Sequence, residues 1–474
     1  MFKGDKIAIK IEDMLDDGRG FGRADGLAVF VDGGVLGDTV EVEITKVKKN
    51  IAEAKLLSVV EPSPDRIEAA CPYFHECGGC SLQELDYSAQ LKLKENQVLS
   101  KLKRIAGIEM PEFDEVMAAD SLKYYRNKAT FAVGPNGEVG FYKGKSHYVM
   151  NIDDCLLQSD PAMACADALR RFLNHKSSCV KQLVIKTAFS TGEVMAVIES
   201  TQKDIPRIEE LVDMLDEAVF FLSHDDGELL DDVMEYKLVS VSVLVENKNG
   251  KAKEFLIAGK PTITDELIRD DGKSLQFEIS PQSFYQVNPE QMVKLYQKAL
   301  EYAGLKGDET LLDLYCGIGT IGLFMADQAK QIIGIESVKP AVIDANRNAT
   351  INGIINARYF TGKAEEMLPA LLGQSKLYKY NEVNELVERE LDIKLDGVDV
   401  AIVDPPRAGA DVALLQALAS AKARLIVYVS CDAGTLARDL KYLIANGYNF
   451  ERITLVDQFP WTNHVECVVR LSLA

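Results

Sequence analysis

The chain has 474 residues, of which 47% are hydrophobic and 27% are charged, a composition typical of a globular protein with several domains. It excludes collagen-like, coiled-coil and mostly disordered proteins, and no apolar run reaches the ~18 residues of a membrane span. The formal net charge is −20, but residues 204–235 hold twelve acids and one base, whereas residues 91–104 hold five bases and one acid. The acidic segment predicts a solvated surface, and the basic segment is compatible with a nucleic-acid partner.

Residues 1–60 are predicted to form a small β-barrel, because short β-rich runs alternate with glycines. The segment Met1–Lys6 has no apolar stretch. We therefore expect no secretory signal, no membrane association and a cytoplasmic location. The β-rich runs are Lys6–Ile11, Leu27–Phe30, Asp38–Val47 and Ile51–Val59.

The nine cysteines argue against a disulfide framework in a chain without an export signal. Cys71, Cys77 and Cys80 are closely spaced, and Cys155 supplies a fourth candidate ligand. This pattern predicts a metal site, and the spacing alone leaves both zinc and an iron–sulfur cluster open. Apart from Cys431, the other cysteines are expected to be structural: Cys165, Cys179, Cys316 and Cys467.

Residues 61–280 are predicted to form a central α+β domain, with strands such as Lys181–Thr187 and Val194–Ser200. Within it, Lys123–Lys128 interleaves aromatic and basic residues, and Phe141–Lys145 repeats the pattern. Base stacking combined with phosphate pairing would explain this mixture on a surface that binds single-stranded RNA. An amphipathic strand with one solvated face is the alternative.

From residue 281 to residue 474, strand-like runs alternate regularly with helical segments, which predicts a parallel, doubly wound sheet. The last two strands follow each other directly, so they should pair antiparallel. This outline is that of a class I, Rossmann-like methyltransferase. Between the third and fourth strands, Lys376–Leu395 is charged and is predicted to be an inserted surface helix. The predicted strands are Thr310–Tyr315, Gln331–Glu336, Arg358–Gly362, Val398–Asp404, Arg424–Cys431, Ile453–Phe459 and Val465–Leu473.

A nucleotide-type site is predicted where Leu311–Thr320 runs from a strand through a G-x-G turn into a helix. Glu336 ends the next strand, where a carboxylate suits paired ribose hydroxyls. The G-x-G turn alone fits a nicotinamide enzyme as well as a methyltransferase. Asp404, followed by two prolines at the end of the fourth strand, favours the methyltransferase. Gln286 does so too, because it suits the amino-acid part of S-adenosylmethionine, which a dinucleotide lacks.

Cys431 follows a buried strand and precedes a helix, a position that is expected to favour the thiolate. A buried packing role is the alternative. Glu466 lies in an otherwise apolar closing strand, where it is either a solvated edge residue or a general base. With S-adenosylmethionine, these groups suit methylation of uracil C5: a thiolate that attacks C6 makes C5 nucleophilic, and a base then removes the C5 proton.

At these residues the chain resembles the RNA uracil-5-methyltransferase family of the TrmA/RumA type, over nearly its whole length and including an N-terminal TRAM-like barrel. The resemblance implies that Cys431 is the nucleophile and that Glu466 is the general base. It implies that S-adenosylmethionine contacts Gln286, Tyr315, Thr320, Glu336 and Asp404. It also implies that a 4Fe-4S cluster, rather than zinc, is bound by Cys71, Cys77, Cys80 and Cys155.

The resemblance further implies methylation of a flipped uridine in 23S rRNA, with transfer RNA as the alternative substrate and no obligate protein partner. A DNA cytosine methyltransferase is a rival, but the chain lacks the Pro-Cys loop that such an enzyme needs. A ring-nitrogen methyltransferase would leave Cys431 unexplained. The rival without enzymatic activity is an RNA-binding iron–sulfur protein that senses oxidants.

Overall fold

The computed structural model describes most of the chain, and only these residues are considered below. None of the helices in this part has the length and apolar character needed to cross a bilayer. The described residues are 1–15, 17–109, 111, 113–174, 178–225, 228–230, 233–246, 252–380, 386–389 and 391–474.

The first six strands form one mostly antiparallel sheet around a small apolar core, in the order β1-β5-β6-β4-β3-β2. A Cβ on Gly22 would lie 2.2 Å from the carbonyl oxygen of Lys10, so β3 can approach β1 this closely only with glycine at that position. The four predicted runs are confirmed, and two short strands are added. The strands are β1 (Lys6–Lys10), β2 (Asp13–Met14), β3 (Gly20–Ala24), β4 (Leu27–Asp32), β5 (Thr39–Val47) and β6 (Ile51–Glu61).

A helix and a short strand lead from this sheet into the central region. Helix α1 (Tyr87–Lys101) begins at Asp86, whose side chain accepts a hydrogen bond from the backbone N–H of Ser88, and it ends in a single π-helical turn. Strand β7 (Phe113–Met117) does not join the central sheet. It pairs instead in parallel with a strand near the end of the chain.

The central sheet has seven strands in the order β10-β9-β8-β11-β12-β15-β16. Helices α2 and α3 cover one face, and the other face packs against the C-terminal region. The elements are β8 (Lys128–Val133), β9 (Val139–Tyr142), β10 (Val149–Asn151), α2 (Asp160–Leu173), β11 (Val180–Thr187), β12 (Glu193–Ser200), α3 (Ile208–Phe220), β13 (His224–Asp225), β14 (Glu228–Leu229), β15 (Lys237–Glu246), β16 (Ala252–Gly259), β17 (Ile263–Ile268) and β18 (Ser274–Ile279).

Helix α3 explains much of the acidic segment. Leu211, Leu215 and Val219 are buried on one face, and the acidic residues of this helix are all exposed. The predicted solvated acidic surface is therefore confirmed for α3. Residues 226, 227, 231 and 232 of the same segment lie outside the described residues.

The C-terminal sheet is doubly wound, in the order β21-β20-β19-β24-β25-β27-β26-β7. Its first five strands are parallel, and β27 inserts antiparallel between β25 and β26. The predicted antiparallel final pair is confirmed. The elements are α4 (Pro289–Ala303), β19 (Thr310–Leu314), α5 (Thr320–Phe324), β20 (Gln331–Glu336), α6 (Lys339–Ile351), β21 (Ala357–Thr361), α7 (Ala364–Leu371), β22 (Leu377–Tyr380), β23 (Leu386–Arg389), β24 (Val400–Val403), α8 (Val412–Ala421), β25 (Leu425–Ser430), α9 (Ala433–Ala445), β26 (Tyr448–Val456) and β27 (Glu466–Leu473).

The inserted segment Lys376–Leu395 is not the predicted surface helix. Its described residues form an antiparallel hairpin, in which β22 pairs with β23 and Leu377 lies opposite Arg389. Both strands are short and carry aromatic, leucine and valine residues, which fit a pleated strand.

Candidate active site

Five of the predicted site residues lie at one edge of the C-terminal sheet. The parallel strands β19, β20, β24 and β25 all end there, which brings Tyr315, Glu336, Asp404 and Cys431 to the same edge. Strand β27 runs in the opposite direction, so its first residue, Glu466, starts at that edge. Open α/β sheets bind their ligands at this edge.

The turn after β19 bends sharply and exposes its backbone. Tyr315, Gly317 and Gly319 have φ values of +60°, +54° and +81°. A Cβ on Gly319 would lie 2.8 Å from the ring of Tyr359, so only glycine fits there. The N–H of Gly317 donates to the carboxylate of Glu336 at 3.3 Å. The turn and the carboxylate predicted to bind ribose therefore lie side by side.

Thr320 is the first residue of α5 and is largely buried. Its hydroxyl lies 2.9 Å from the hydroxyl of Tyr296, on α4. This side chain is therefore engaged in fixing the start of α5 against α4. Its predicted contact with the cofactor remains a prediction.

Gln286 lies buried in the loop between β18 and α4. Its backbone carbonyl accepts a hydrogen bond from the side-chain amide of Asn127 at 2.9 Å. Two residues on, Asn288 exchanges hydrogen bonds with Gln458 at 3.2 and 3.3 Å. Because Gln458 follows β26 and leads towards Glu466, the Gln286 loop is anchored to the segment that carries the predicted base.

The register of the sheet brings the predicted nucleophile and base together. Strand β25 pairs Ser430 with Cys467 of β27. One residue further, the same register places Cys431 opposite Glu466. Side chains alternate along a strand, so Cys431 and Glu466 share one face, while Cys467 is buried in the core on the other. The alternative that Glu466 is a solvated edge residue is wrong, because this residue is only 3% exposed.

The carboxyl group of Glu466 has an unusually high proton affinity. Burial is the largest cause, and the nearby Asp404 adds to it, raising the pKa of Glu466 to about 8, while Arg407 acts in the opposite direction. An ordinary glutamate has a pKa of about 4.3. A general base works best when its pKa lies near the working pH, so this environment suits that role.

The Cys431 thiol is harder to ionise than its position in the sequence predicts. Burial is the main cause, and the carboxylates of Glu466 and Asp404 add to it, raising the pKa of the thiol to about 12, while Arg407 lowers it. The first N–H groups of α9 already donate to the side chain of Asp432. The prediction that position alone favours the thiolate is therefore wrong for the unliganded site.

Sequence analysis assigned no role to Asp313, which lies within the predicted segment Leu311–Thr320. It is fully buried in β19, where one carboxyl oxygen accepts from the N–H of Gly322 at 3.0 Å and the other has no partner among the described residues. Burial raises the pKa of Asp313 to about 7, and it does the same for Asp404. An acidic residue within an apolar strand is the sequence signal that could have identified Asp313 as a candidate site residue. The same end of the sheet thus holds several protonatable carboxyl groups.

Helix α1 lies beside Cys431, the predicted nucleophile, which sequence analysis did not indicate. A cavity of about 60 Å³ adjoins Cys431 and is lined in part by Lys94, Lys101 and His464. Lys94 is fully buried, and its ammonium group donates to the carboxylate of Asp457 at 2.6 Å. One lysine of the basic segment, which was compatible with a nucleic-acid partner, therefore lies inside the protein.

The four cysteines predicted as metal ligands share one cavity of about 320 Å³. Burial is the main cause of the raised pKa values of Cys77, Cys80 and Cys155, and the neighbouring thiols add to it; the pKa of Cys80 reaches about 12. Cys71 is one of these neighbours. In the described part of the chain, no group of three or more His, Cys, Asp or Glu side chains is arranged to hold a metal ion. The four thiols therefore lie around one cavity.

The residues predicted to bind RNA fall into two groups. Tyr125 is buried, and its hydroxyl donates to a backbone carbonyl at 3.2 Å, while Phe141 stacks on a core phenylalanine. In contrast, Tyr124 and Tyr142 are 44% and 45% exposed, and Tyr148, which lies outside the predicted segments, is 79% exposed. The predicted surface is therefore smaller than the sequence indicates, and its exposed aromatic residues lie on the turn before β8 and on the β9–β10 hairpin.

The doubly wound sheet, its glycine turn and the acids at its carboxyl edge define a class I S-adenosylmethionine-dependent methyltransferase. The model of the tRNA (Uracil-5-)-methyltransferase family matches residues 224–473, and that of the TRAM domain matches residues 2–57. The chain therefore belongs to the tRNA (uracil-5-)-methyltransferase family, and it is an RNA (uracil-5-)-methyltransferase. The predicted fold and enzyme class are confirmed, and the rivals that methylate DNA or a ring nitrogen, or that only bind RNA, are set aside.

Relatives match the chain over its full length. An uncharacterized RNA methyltransferase of Caldanaerobacter subterraneus subsp. tengcongensis is 40% identical over 480 residues, covering 98% of this chain and 97% of that protein. One of Halalkalibacterium halodurans is 36% identical over 487 residues, covering 99% and 98%. The crystal structure of Pyrococcus abyssi tRNA (uracil-54, C5)-methyltransferase in complex with S-adenosyl-L-homocysteine has a TM-score of 0.71 and 27% identity, covering 98% of this chain and 99% of that one.

Proposed function

We propose that this protein methylates C5 of a uridine in 23S rRNA, with Cys431 as nucleophile and Glu466 as general base. The observation that carries the proposal is a thiol facing a buried carboxyl group at the carboxyl edge of the sheet, in a chain of this family. Its three domains are taken as residues 1–60, 61–280 and 281–474, and it acts in the cytoplasm on its RNA substrate.

The thiol and the carboxyl group together overcome the weak nucleophilicity of uracil C5. The thiol of Cys431 first loses its proton to solvent. The thiolate sulfur then forms a bond to C6, and the C5–C6 π electrons move onto the C4 carbonyl as an enolate. When bound, S-adenosylmethionine supplies the electrophilic methyl group for C5 and a sulfonium charge that favours the ionised thiol and carboxylate. Glu466 then takes the C5 proton, the C5–C6 double bond re-forms, and the C6–S bond breaks to release Cys431.

The residues at the sheet edge fit an S-adenosylmethionine site by their chemistry. Glu336 lies beside the glycine turn, and its carboxylate accepts hydrogen bonds from backbone N–H groups. It could accept hydrogen bonds from the ribose hydroxyls of the cofactor in the same way. Tyr315 and Asp404 follow the neighbouring strands, and Gln286 suits the amino-acid end of the cofactor. Thr320 contributes by fixing the helix that begins after the turn.

We propose that the four-cysteine cavity holds a 4Fe-4S cluster. Zinc binds sulfur at about 2.3 Å, so a single ion would draw four thiols to within about 4 Å of one another. A cluster is larger, and the cavity of about 320 Å³ suits it. Arg126 also lines this cavity, and its Nε has no partner among the described residues, as would suit a group with anionic sulfur ligands. The cluster would fix the fold and help to position RNA.

The exposed aromatic residues form the proposed RNA surface. Tyr142 and Tyr148 lie on the β9–β10 hairpin together with Lys143 and Lys145. Both lysines form exposed ion pairs with carboxylates of the N-terminal half, at 2.8 and 2.6 Å. Exposed pairs contribute little to stability, so RNA phosphates can replace the carboxylates at low cost. The tyrosines would stack on unpaired bases while the target uridine is flipped into the site.

The RNA class is tested with RNA from cells that lack this enzyme. Purified protein and methyl-labelled S-adenosylmethionine are added to total RNA, which is then separated into ribosomal and transfer fractions. The proposal expects label in 23S rRNA, at C5 of uridine by mass spectrometry of nucleosides. Label confined to transfer RNA would establish the alternative substrate instead. Cys431→Ala serves as the control and should incorporate no methyl group.

The role of Glu466 is tested by trapping the covalent complex. In Glu466→Gln the thiol can still attack C6 and the methyl group can still be transferred, but the C5 proton is not removed. We therefore expect a protein–RNA adduct that survives denaturing electrophoresis. Full activity of this variant without any adduct would remove Glu466 from the mechanism.

A further inference from the structure

A buried lysine of the central sheet faces the C-terminal domain. On β11, Leu183 and Ile185 point towards α2 and α3, whereas Val184 packs into the C-terminal core. Side chains alternate along a strand, so Lys186 lies on the same face as Val184. It is 5% exposed. Burial of an ammonium group is costly, so its position calls for an explanation.

The ammonium group of Lys186 holds the loop that carries Gln286. It donates to the backbone carbonyl of Ser280 at 2.7 Å and to that of Ser283 at 2.8 Å. The hydroxyl of Ser283 in turn donates to the buried carboxylate of Asp344, on α6, at 2.5 Å. The loop is therefore fixed from both sides, by the central sheet and by a helix of the methyltransferase domain.

The surroundings of Lys186 leave little room for a water molecule to replace it as the hydrogen-bond donor to the two carbonyls. The cavity beside it measures about 10 Å³, at the lower limit of what a water molecule needs. Its charged neighbours are Lys128, Asp344 and Glu254; burial and Lys128 lower the pKa of Lys186 to about 7, while the two carboxylates oppose this. Even the neutral amine retains two donor hydrogens, so both carbonyls can be satisfied at either protonation state.

We propose that Lys186 is a positioning residue for the cofactor: it fixes residues 280–286 so that Gln286 is held ready for S-adenosylmethionine. This inference rests on the proposed role of Gln286. The lysine touches only backbone of the loop, and it lies on a different sheet from the glycine turn. Cofactor affinity in this enzyme would thus depend on the central domain as well as on the methyltransferase domain.

The test measures binding of S-adenosylhomocysteine by calorimetry to the full chain. Lys186→Met keeps most of the length of the side chain but removes its donors, and we expect affinity to fall at least about tenfold. The matched control is Lys181→Met, an exposed lysine of the same strand, which should stay within about twofold of wild type. In turnover, Lys186→Met should raise KM for S-adenosylmethionine while kcat at saturation changes by less than about threefold. Unchanged affinity would overturn the inference.

A double-variant cycle separates this inference from the proposed function. If Lys186 acts through Gln286, the double variant Lys186→Met/Gln286→Ala should bind no more weakly than Gln286→Ala alone. Additive losses would overturn the positioning role. No loss in Gln286→Ala itself would show that the assignment of Gln286 is wrong, whatever the Lys186 variant does.

A second variant guards against a general loss of fold. Lys186→Gln retains an amide donor and should have intermediate affinity. Hydrogen exchange should speed up at the amides of residues 282–287 in Lys186→Met and remain unchanged in α9. Exchange that rises equally in both places would mean that Lys186 only stabilises the fold, and it would contradict the proposal.

Discussion

Ionising the buried carboxyl group of Glu466 should destabilise the unliganded protein, so Glu466→Gln should become relatively more stable as the pH rises. The pKa is about 8 in the folded protein and about 4.3 in an unfolded chain. A raised pKa means that the folded protein binds the proton more tightly than the unfolded chain does. The contribution of Glu466 to the free energy of unfolding therefore falls between pH 4.3 and pH 8 and is constant above pH 8. Below pH 4.3 the carboxyl group is protonated in both states and has no effect.

The size of the effect follows from the pKa difference. At 1.36 kcal/mol per unit, the loss is about 2 kcal/mol at pH 6 and about 5 kcal/mol at pH 9. Glutamine has no proton to lose, so the advantage of Glu466→Gln over wild type should grow by about 3 kcal/mol between these pH values. Any fixed effect of the substitution cancels in this comparison.

Urea unfolding of the ligand-free protein measures this difference. The only tryptophan, Trp461, is 6% exposed and lies five residues before Glu466, so its fluorescence reports on unfolding around the site. The control is Glu68→Gln, at an exposed carboxylate, which should follow wild type at every pH. Parallel pH dependences for wild type and Glu466→Gln would refute the reasoning, because Glu466 would then titrate like an ordinary surface carboxylate.

Three further predictions test other parts of the structure. Asp457→Asn leaves the ammonium group of Lys94 buried without its partner, so thermal or urea unfolding should show a loss of about 3–5 kcal/mol. Cys77→Ser should abolish the visible absorbance and the iron and sulfide content of anaerobically purified protein, while S-adenosylhomocysteine binding persists; stoichiometric zinc in the wild type instead would contradict the cluster. Gly319→Ala forces a Cβ to 2.8 Å from an aromatic ring at φ +81°. It should destabilise the protein by about 1–3 kcal/mol and weaken S-adenosylhomocysteine binding in calorimetry; equal affinity would argue against the glycine turn as part of the cofactor site.

Sequence patterns predict the C-terminal sheet well because its strands are buried on both faces. A run such as Leu425–Ser430 is continuously apolar and is bounded by helical segments. The strand Phe113–Met117 gives no such signal, because it is an edge strand with two acids, and its partner lies far along the chain. The strand pair within Lys376–Leu395 was missed because this segment is rich in charged residues, which are also common in surface helices.

Sequence analysis can predict a site residue when a reactive side chain stands at the end of a predicted strand. Cys431 and Glu466 are unusual residues at strand ends, but the β25–β27 register that places them opposite each other is established only by the structure. The buried pair of Lys94 and Asp457 is not predictable, because a lysine in a basic helical segment resembles a surface residue. The raised pKa of the Cys431 thiol also depends on which charges fold beside it, and the sequence does not reveal this.

The most direct test of the central claim uses RNA tritiated at uracil C5, prepared from cells that lack this enzyme. Protein and S-adenosylmethionine are added, and the tritium released to water is counted beside methyl incorporation. We predict one tritium released for each methyl group transferred, with both lost in Cys431→Ala. Methyl incorporation without tritium release, or release that persists in Cys431→Ala, would contradict attack of the Cys431 thiolate on C6.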